Sequence, residues 1–386
     1  MLVFSVIILF FASWISTVAS APSKWIHPGA MLSRAQINFI KDKVSRREQP
    51  WARAADEMLR DRWLSASWNP TPHATVECGP YSKPDVGCKA ERDDSLAAYG
   101  NALAWVISGN KAHAQKAIQI MDAYSATIKG HKNTNSPLQA GWVGSVWARA
   151  GEIIRYTDAG WSSASISRFA NMLRTVYMPL TVNGTDKNVA NWELSMTEAA
   201  ILMAVFLEDG KSYDTAMRHF KARVPATIFM TSDGKYPKAA RGQSSAPDKI
   251  IEWWFGQSDF RENGMGQETC RDLEHTGYSI ASIAHVAETA RIQGEDLYKT
   301  DIGTRLRWGI GFHSQFGNGK AAPSWLCKGA LKLKFGPVTE VGYNALANRL
   351  GNSMPESKSY TESQRPAKNN GLFVAYETLT HANNPA

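Results

Sequence analysis

An all-α fold built of antiparallel helix pairs is what this 386-residue sequence predicts, on three observations. From Ala35 to about Gly317 the apolar residues recur with the period of a helix. The breaks between these stretches are short, which makes successive helices antiparallel neighbours. Strand-like alternation is rare. About six to seven such pairs can close into an α/α toroid with a central cleft.

Taken in order, Met1 to Ser20 carry no charged side chain, Leu2 to Ile15 are mostly apolar, and Val18-Ala19-Ser20 is a small-residue cleavage site. This pattern reads as a secretory signal peptide, too short for a membrane span. The expectation is a secreted, extracellular protein with a single domain over residues 21–386 and no stable membrane association. Leu96, Tyr99, Leu103 and Val106 then share one helix face, and Ala114, Ala117, Ile118 and Met121 share another. Ser108-Gly109-Asn110 is the turn between them. Further helices are expected over about 139–157, 163–178, 191–208, 211–222, 270–292, 299–315 and 339–350. Long polar loops fall at about 65–90, 128–138, 232–266 and 351–371, and loops of that length commonly carry function.

Four cysteines in a secreted chain imply two disulfides. Cys78 and Cys88 bracket a loop rich in turn-forming residues, which pairs them and leaves Cys270 for Cys327. Asn183-Gly184-Thr185 is an N-glycosylation sequon. The formal net charge of +8 is spread along the chain without a Lys/Arg run. That distribution suits an acidic polysaccharide or a wall surface and argues against nucleic acid. No Cys/His spacing suits zinc, and no nucleophile elbow or phosphate loop is present, so neither metal nor cofactor is expected.

Four clusters carry candidate chemistry. In Gln267-Glu-Thr-Cys-Arg-Asp-Leu-Glu-His-Thr-Gly-Tyr278, a helical period lines up Glu268, Arg271, His275 and Tyr278 on one face. A carboxylate, a cation, a general acid/base and a phenol on one element suit work on an acidic substrate. Asn191 opens a helix in Asn188-Val-Ala-Asn-Trp-Glu-Leu-Ser-Met196, either as an N-cap or as a catalytic amide, with Trp192 beside it. Gln139 and Trp142 begin another helix, and Tyr343 and Asn344 lie in a fourth cluster. Gln139, Trp142, Trp192, Glu268, Tyr343 and Asn344 are the substrate-binding candidates, since aromatic rings pack on sugar C–H faces.

The stretches Asn191-Trp-Glu-Leu-Ser-Met196, Gln267 to Tyr278, Gln139-Ala-Gly-Trp142 and Pro323-Ser-Trp-Leu-Cys327 resemble the alginate lyase superfamily of polysaccharide lyases. The resemblance runs from about His27 to Arg349, with polysaccharide lyase family 38 the nearest branch and family 5 more distant. It implies an α/α toroid and metal-free β-elimination on a 1,4-linked uronate polymer. Asn191 matches the family's Asn, and Arg271 and Tyr278 keep the family 5 spacing of seven residues. The family 5 His that follows the Asn is here Trp192, and His275 is the candidate to replace it. Asn191, with Gln139 or Arg271, would neutralise the substrate carboxylate, and Tyr278 or His275 would take the C5 proton. Tyr278 would also protonate the leaving O4, and a Tyr base requires a pKa lowered by Arg271. Two other readings are a hydrolase using a pair among Asp93, Asp94, Glu193, Glu268 and Asp272, and a non-catalytic carbohydrate-binding protein.

Overall fold

The computed structural model describes residues 21–386; the expected signal peptide lies outside the described residues. In chain order the helices are α1 (Arg34–Ser45), α2 (Trp51–Leu59), α3 (Cys88–Ser108), α4 (Lys111–Thr127) and α5 (Ser136–Arg155). Next come α6 (Ser163–Met172), α7 (Met178–Thr181), α8 (Ala190–Leu207), α9 (Gly210–Arg223) and α10 (Pro247–Trp253). The last are α11 (Leu273–Ile292), α12 (Asp301–Gly317), α13 (Glu340–Tyr343), α14 (Pro355–Ser363) and α15 (Glu377–His381). Their starts are written in the sequence. Asn110, Ser162, Asp209, Asp272 and Thr300 each accept a backbone N–H at the head of the helix that follows. Gly109, in the left-handed region, ends α3 and turns the chain into α4.

The helices form an α/α toroid. An inner ring runs through α3, α5, α8, α11 and α13, and α15 with α1 and α2 closes it back onto α3. The helices α4, α6, α9, α12 and α14 form the outer layer. Outer helices bury one stripe, as α9 does with Tyr213, Ala216, Met217 and Phe220. Inner helices are buried all round, so α8 is sealed from Ala190 to Phe206 apart from Trp192. The α5–α8 contact is close because of glycine: a Cβ on Gly141 would sit 3.1 Å from the Ser195 backbone.

The inner helices run parallel. Gln139 near the start of α5 bonds Glu91 near the start of α3, and Gly141 meets Ser195 one turn into α8. Their N-termini therefore gather at one end of the ring. At the axis, fully buried side chains from opposite walls meet. Arg149 (α5) donates to Glu198 (α8), His285 (α11) lies between Glu198 and Glu377 (α15), and Arg149 also donates to the Phe373 carbonyl. Burial works against a charged His285, but the two carboxylates raise its pKa.

The expected loops hold more structure than polarity suggests. Residues 65–90 contain β1 (Thr75–Cys78) and β2 (Asp85–Val86), antiparallel, while β3 (Gly130–Lys132) pairs parallel to β1. The long loops also carry α10 and α14. Both disulfides have the expected pairing, Cys78–Cys88 and Cys270–Cys327.

Candidate active site

The candidate site lies where the N-termini of α8 and α11 meet. The helix expected from residue 270 begins at Leu273, because extended Asp272 caps it. Glu268 and Arg271 thus sit in the preceding turn rather than on the helix face with His275 and Tyr278. The turn still brings Arg271 Nη1 within 2.9 Å of Glu268 Oε1.

Asn191 is not the cap of α8; it is the second helical residue, and Val189 holds the cap position without a side-chain bond. The helix end is capped from outside. Gln267 Oε1 accepts from the Ala190 N–H, and Glu268 Oε2 accepts from the Asn191 N–H, both at 2.9 Å. The Asn191 side-chain amide also donates to Glu268, at 2.7 and 2.9 Å. Both carboxylate oxygens of Glu268 are thus taken by Asn191 and Arg271, so it faces protein and not substrate, which corrects its expected role. It is the post that fixes Asn191 and Arg271 relative to each other. Nη1 of Arg271 holds Glu268 and Nε lies 4.0 Å from Asp272 Oδ2, which leaves Nη2 of this partly exposed fork available to an anion.

On α11, Asp272 Oδ1 accepts from both the backbone N–H of His275 (2.8 Å) and its Nδ1 (2.7 Å). One carboxylate oxygen caps the helix and fixes the imidazole tautomer, leaving Nε2 for other work. Burial would raise the Asp272 carboxyl, but the two His275 hydrogen bonds outweigh it and hold the pKa below its usual value. The Tyr278 ring lies edge-on to His275, with centroids 5.5 Å apart. Its hydroxyl donates to Glu274 Oε1 at 3.0 Å, and Lys334 pairs with the same carboxylate at 2.8 Å. The expectation of a lowered Tyr278 pKa is reversed: burial first, then the Glu274 charge and hydrogen bond, push it up, and Arg271 opposes them only weakly. Gly277 makes room for this geometry, since a Cβ there would lie 2.6 Å from the Phe335 carbonyl oxygen.

Gln139 is also not free for substrate. Its Nε2 donates to the Cys88 carbonyl and Glu91, and its Oε1 accepts from Arg92 at 2.8 Å. Its work is to hold Arg92, whose other hydrogen bond is to the Ser82 hydroxyl, also neutral. Burial lowers the Arg92 pKa, against the pull of Asp85, Glu91 and Asp93. Asn344 is fully buried, its amide donating to the Asn384 carbonyl, and Tyr343 is buried beside it; neither is presented as a binding residue. Trp142 and Trp192 are each partly buried at the N-terminal ends of α5 and α8. Asn183 is exposed in a turn.

The alternative carboxylates are all engaged. Asp93 pairs with Arg62 and Lys89, Glu193 with Arg223 and Arg241, and Asp94 accepts from Trp68, Thr71 and Tyr124. Sequence reading missed Asp272 as partner of His275, Glu274 as partner of Tyr278, and Arg92. The first two were readable as i,i+3 and i,i+4 neighbours on a helix. Arg92 was not, because Gln139 lies 47 residues away. Among the described residues no group of three or more His, Cys, Asp or Glu could hold a metal ion.

The alginate lyase family model matches residues 81–322. Solved structures similar to this chain include an alginate lyase from Bacteroides ovatus, 13% identical, with a TM-score of 0.56 over 92% of this chain and 100% of that one. Alginate lyase A1-III from Sphingomonas species A1 is 14% identical, with a TM-score of 0.58 over 89% of this chain and 94% of that one. A Tyr-to-Phe variant of alginate lyase A1-III complexed with tetrasaccharide is 15% identical, with a TM-score of 0.60 over 90% and 93% of the two chains. No curated protein matches the chain in sequence.

Proposed function

Because the chain belongs to the alginate lyase family, and is therefore a polysaccharide lyase, we propose that it acts outside the cell on a β-1,4-linked polyuronate. Glucuronan, cellouronate and mannuronate-rich alginate are the candidates. The observation that carries this reading is the pair of proton carriers on one turn of α11. His275 is fixed by Asp272, and Tyr278 is held protonated by burial and Glu274.

The C5 proton of a uronate is weakly acidic while its carboxylate is charged. The free part of the Arg271 fork neutralises that carboxylate, while buried Asn191, both of whose amide bonds go to Glu268, holds Glu268 and through it Arg271 in place. His275 Nε2 takes the C5 proton. The C4–O4 bond breaks as the C4=C5 double bond forms, and the Tyr278 phenol gives its proton to O4. Asp272 stabilises the imidazolium that results. The proton returns from imidazolium to phenolate before the next cycle.

Both carriers approach from the same helix turn, so both protons move on the same face of the sugar. In D-glucuronate and D-mannuronate, H5 and O4 lie on the same face; in L-guluronate they lie on opposite faces. The arrangement therefore favours the first two.

The test is ultraviolet absorbance during incubation with glucuronan, cellouronate, polymannuronate and polyguluronate. A rise on one or more of the first three, lost in Tyr278→Phe while oligosaccharide binding persists, is the expected result. New reducing ends without a rise would move the reaction to hydrolysis and overturn this reading. Binding with neither signal would mark a carbohydrate-binding protein.

A further inference from the structure

Phe255 occupies a position that its side chain makes costly. Helix α10 ends in a Schellman motif: the Gly256 N–H bonds the Ile251 carbonyl, and the Phe255 N–H bonds that of Glu252. The residue between, Phe255, has φ 55°, the left-handed conformation where glycine is the usual choice. The residue is 39% exposed, although a large apolar side chain gains by burial. Backbone strain and apolar exposure thus coincide at one residue, beside the candidate site: the Arg271 guanidinium carbon lies 6.0 Å from the ring centroid.

The loop that presents the ring is firmly held. Trp254 is buried and meets Phe260 edge-on at 5.2 Å, and Phe260 packs on Phe229. Gln257 donates to the Asp259 and Trp325 carbonyls and accepts from the Cys327 N–H. Cys327 is disulfide-bonded to Cys270, the neighbour of Arg271. The ring and the guanidinium are therefore fastened to the same frame, and their separation is set before any ligand arrives.

We propose that Phe255 is a sugar-stacking platform, binding the C–H face of the pyranose next to the uronate whose carboxylate Arg271 engages. The proposal rests on the polyuronate reading of the site. Stacking of this kind acts equally on ground state and transition state, so it appears in KM and not in kcat.

The experiment uses Phe255→Ala, Phe255→Gly and Phe255→Trp in the full chain, with glucuronate and mannuronate oligosaccharides of increasing length. For Ala and Gly, KM should rise roughly three- to tenfold with kcat retained. The rise should be confined to oligomers long enough to reach the ring, and Trp should restore the wild-type value. The melting temperature of Phe255→Gly should equal or exceed that of the wild type, since the strain is gone. A wild-type KM in both Ala and Gly would overturn the proposal, as would a KM rise in Gly accompanied by a lower melting temperature. If the wild type shows no elimination on any uronan, the lyase reading falls separately. Oligosaccharide affinity by calorimetry then decides: weaker binding in Phe255→Ala supports the platform, and equal binding overturns it.

Discussion

Asp272→Asn tests the role given to His275. In the proposed step the imidazole gains a proton and a positive charge while Asp272 Oδ1 sits 2.7 Å from Nδ1. Two unit charges about 4 Å apart attract by ~1 kcal/mol in bulk water and ~4 kcal/mol at the effective dielectric of a protein surface. The two side chains are 28% and 24% exposed, so a value of about 2 kcal/mol falls between these limits. Removing it from the transition state lowers kcat roughly thirtyfold. Stability should hardly change, because Asn caps a helix about as well as Asp and its Oδ1 can still accept from the His275 N–H. The assay is steady-state kinetics by ultraviolet absorbance beside a thermal melt. A kcat within twofold of the wild type, at an unchanged melting temperature, would refute His275 as the base and return that role to Tyr278.

Gly277→Ala places a methyl 2.6 Å from the Phe335 carbonyl oxygen, so it should cost about 1–3 kcal/mol of stability by denaturant melt and lower kcat through Tyr278. Glu288 is buried, which would raise its carboxyl, but Arg349 and Arg291 hold its pKa well below the usual value. Its stabilisation is thus present above the unfolded value of about 4.3 and is lost as pH falls through the lower folded value. Glu288→Ala leaves Arg349 uncompensated and should cost about 3–5 kcal/mol at neutral pH in the same melt. Replacing Cys270 and Cys327 by Ser opens a link spanning 57 residues and should cost about 4 kcal/mol, against about 3 kcal/mol for the 10-residue Cys78–Cys88 link. The first replacement alone should also lower activity, because it frees the segment that carries Arg271.

The ring of helices was legible because the inner helices α3, α5, α8 and α11 are long and buried on nearly every side, and the outer helices carry one stripe. The boundary at Asp272 was misplaced by a polar period that runs on across a real cap: Glu268, Arg271, His275 and Tyr278 keep helical spacing although the chain is extended between them. Local chemistry was recoverable from the sequence where both partners share a helix. The function of Glu268 was not, since Asn191 lies 77 residues away and only the meeting of α8 with α11 joins them. Gln139 and Asn344 misled for one reason: a polar side chain on an inner helix of a toroid is more often answered by another wall of the ring than by the cleft. The sign of the Tyr278 shift follows from burial first and then from Glu274, one turn away on the same helix, which together outweigh the cation before the helix.

The salt-bridged contact of Arg149, Glu198, His285 and Glu377 at the axis has a topological consequence. Groups from opposing walls touch there with essentially no exposure, so the ring is a bowl and not a tube. A polymer cannot be reeled through it. With the site proposed above, the strand lies across the rim formed by the helix N-termini, with both of its ends on the same side of the protein. After each cut, the products leave by sliding along that rim or by lifting away from it.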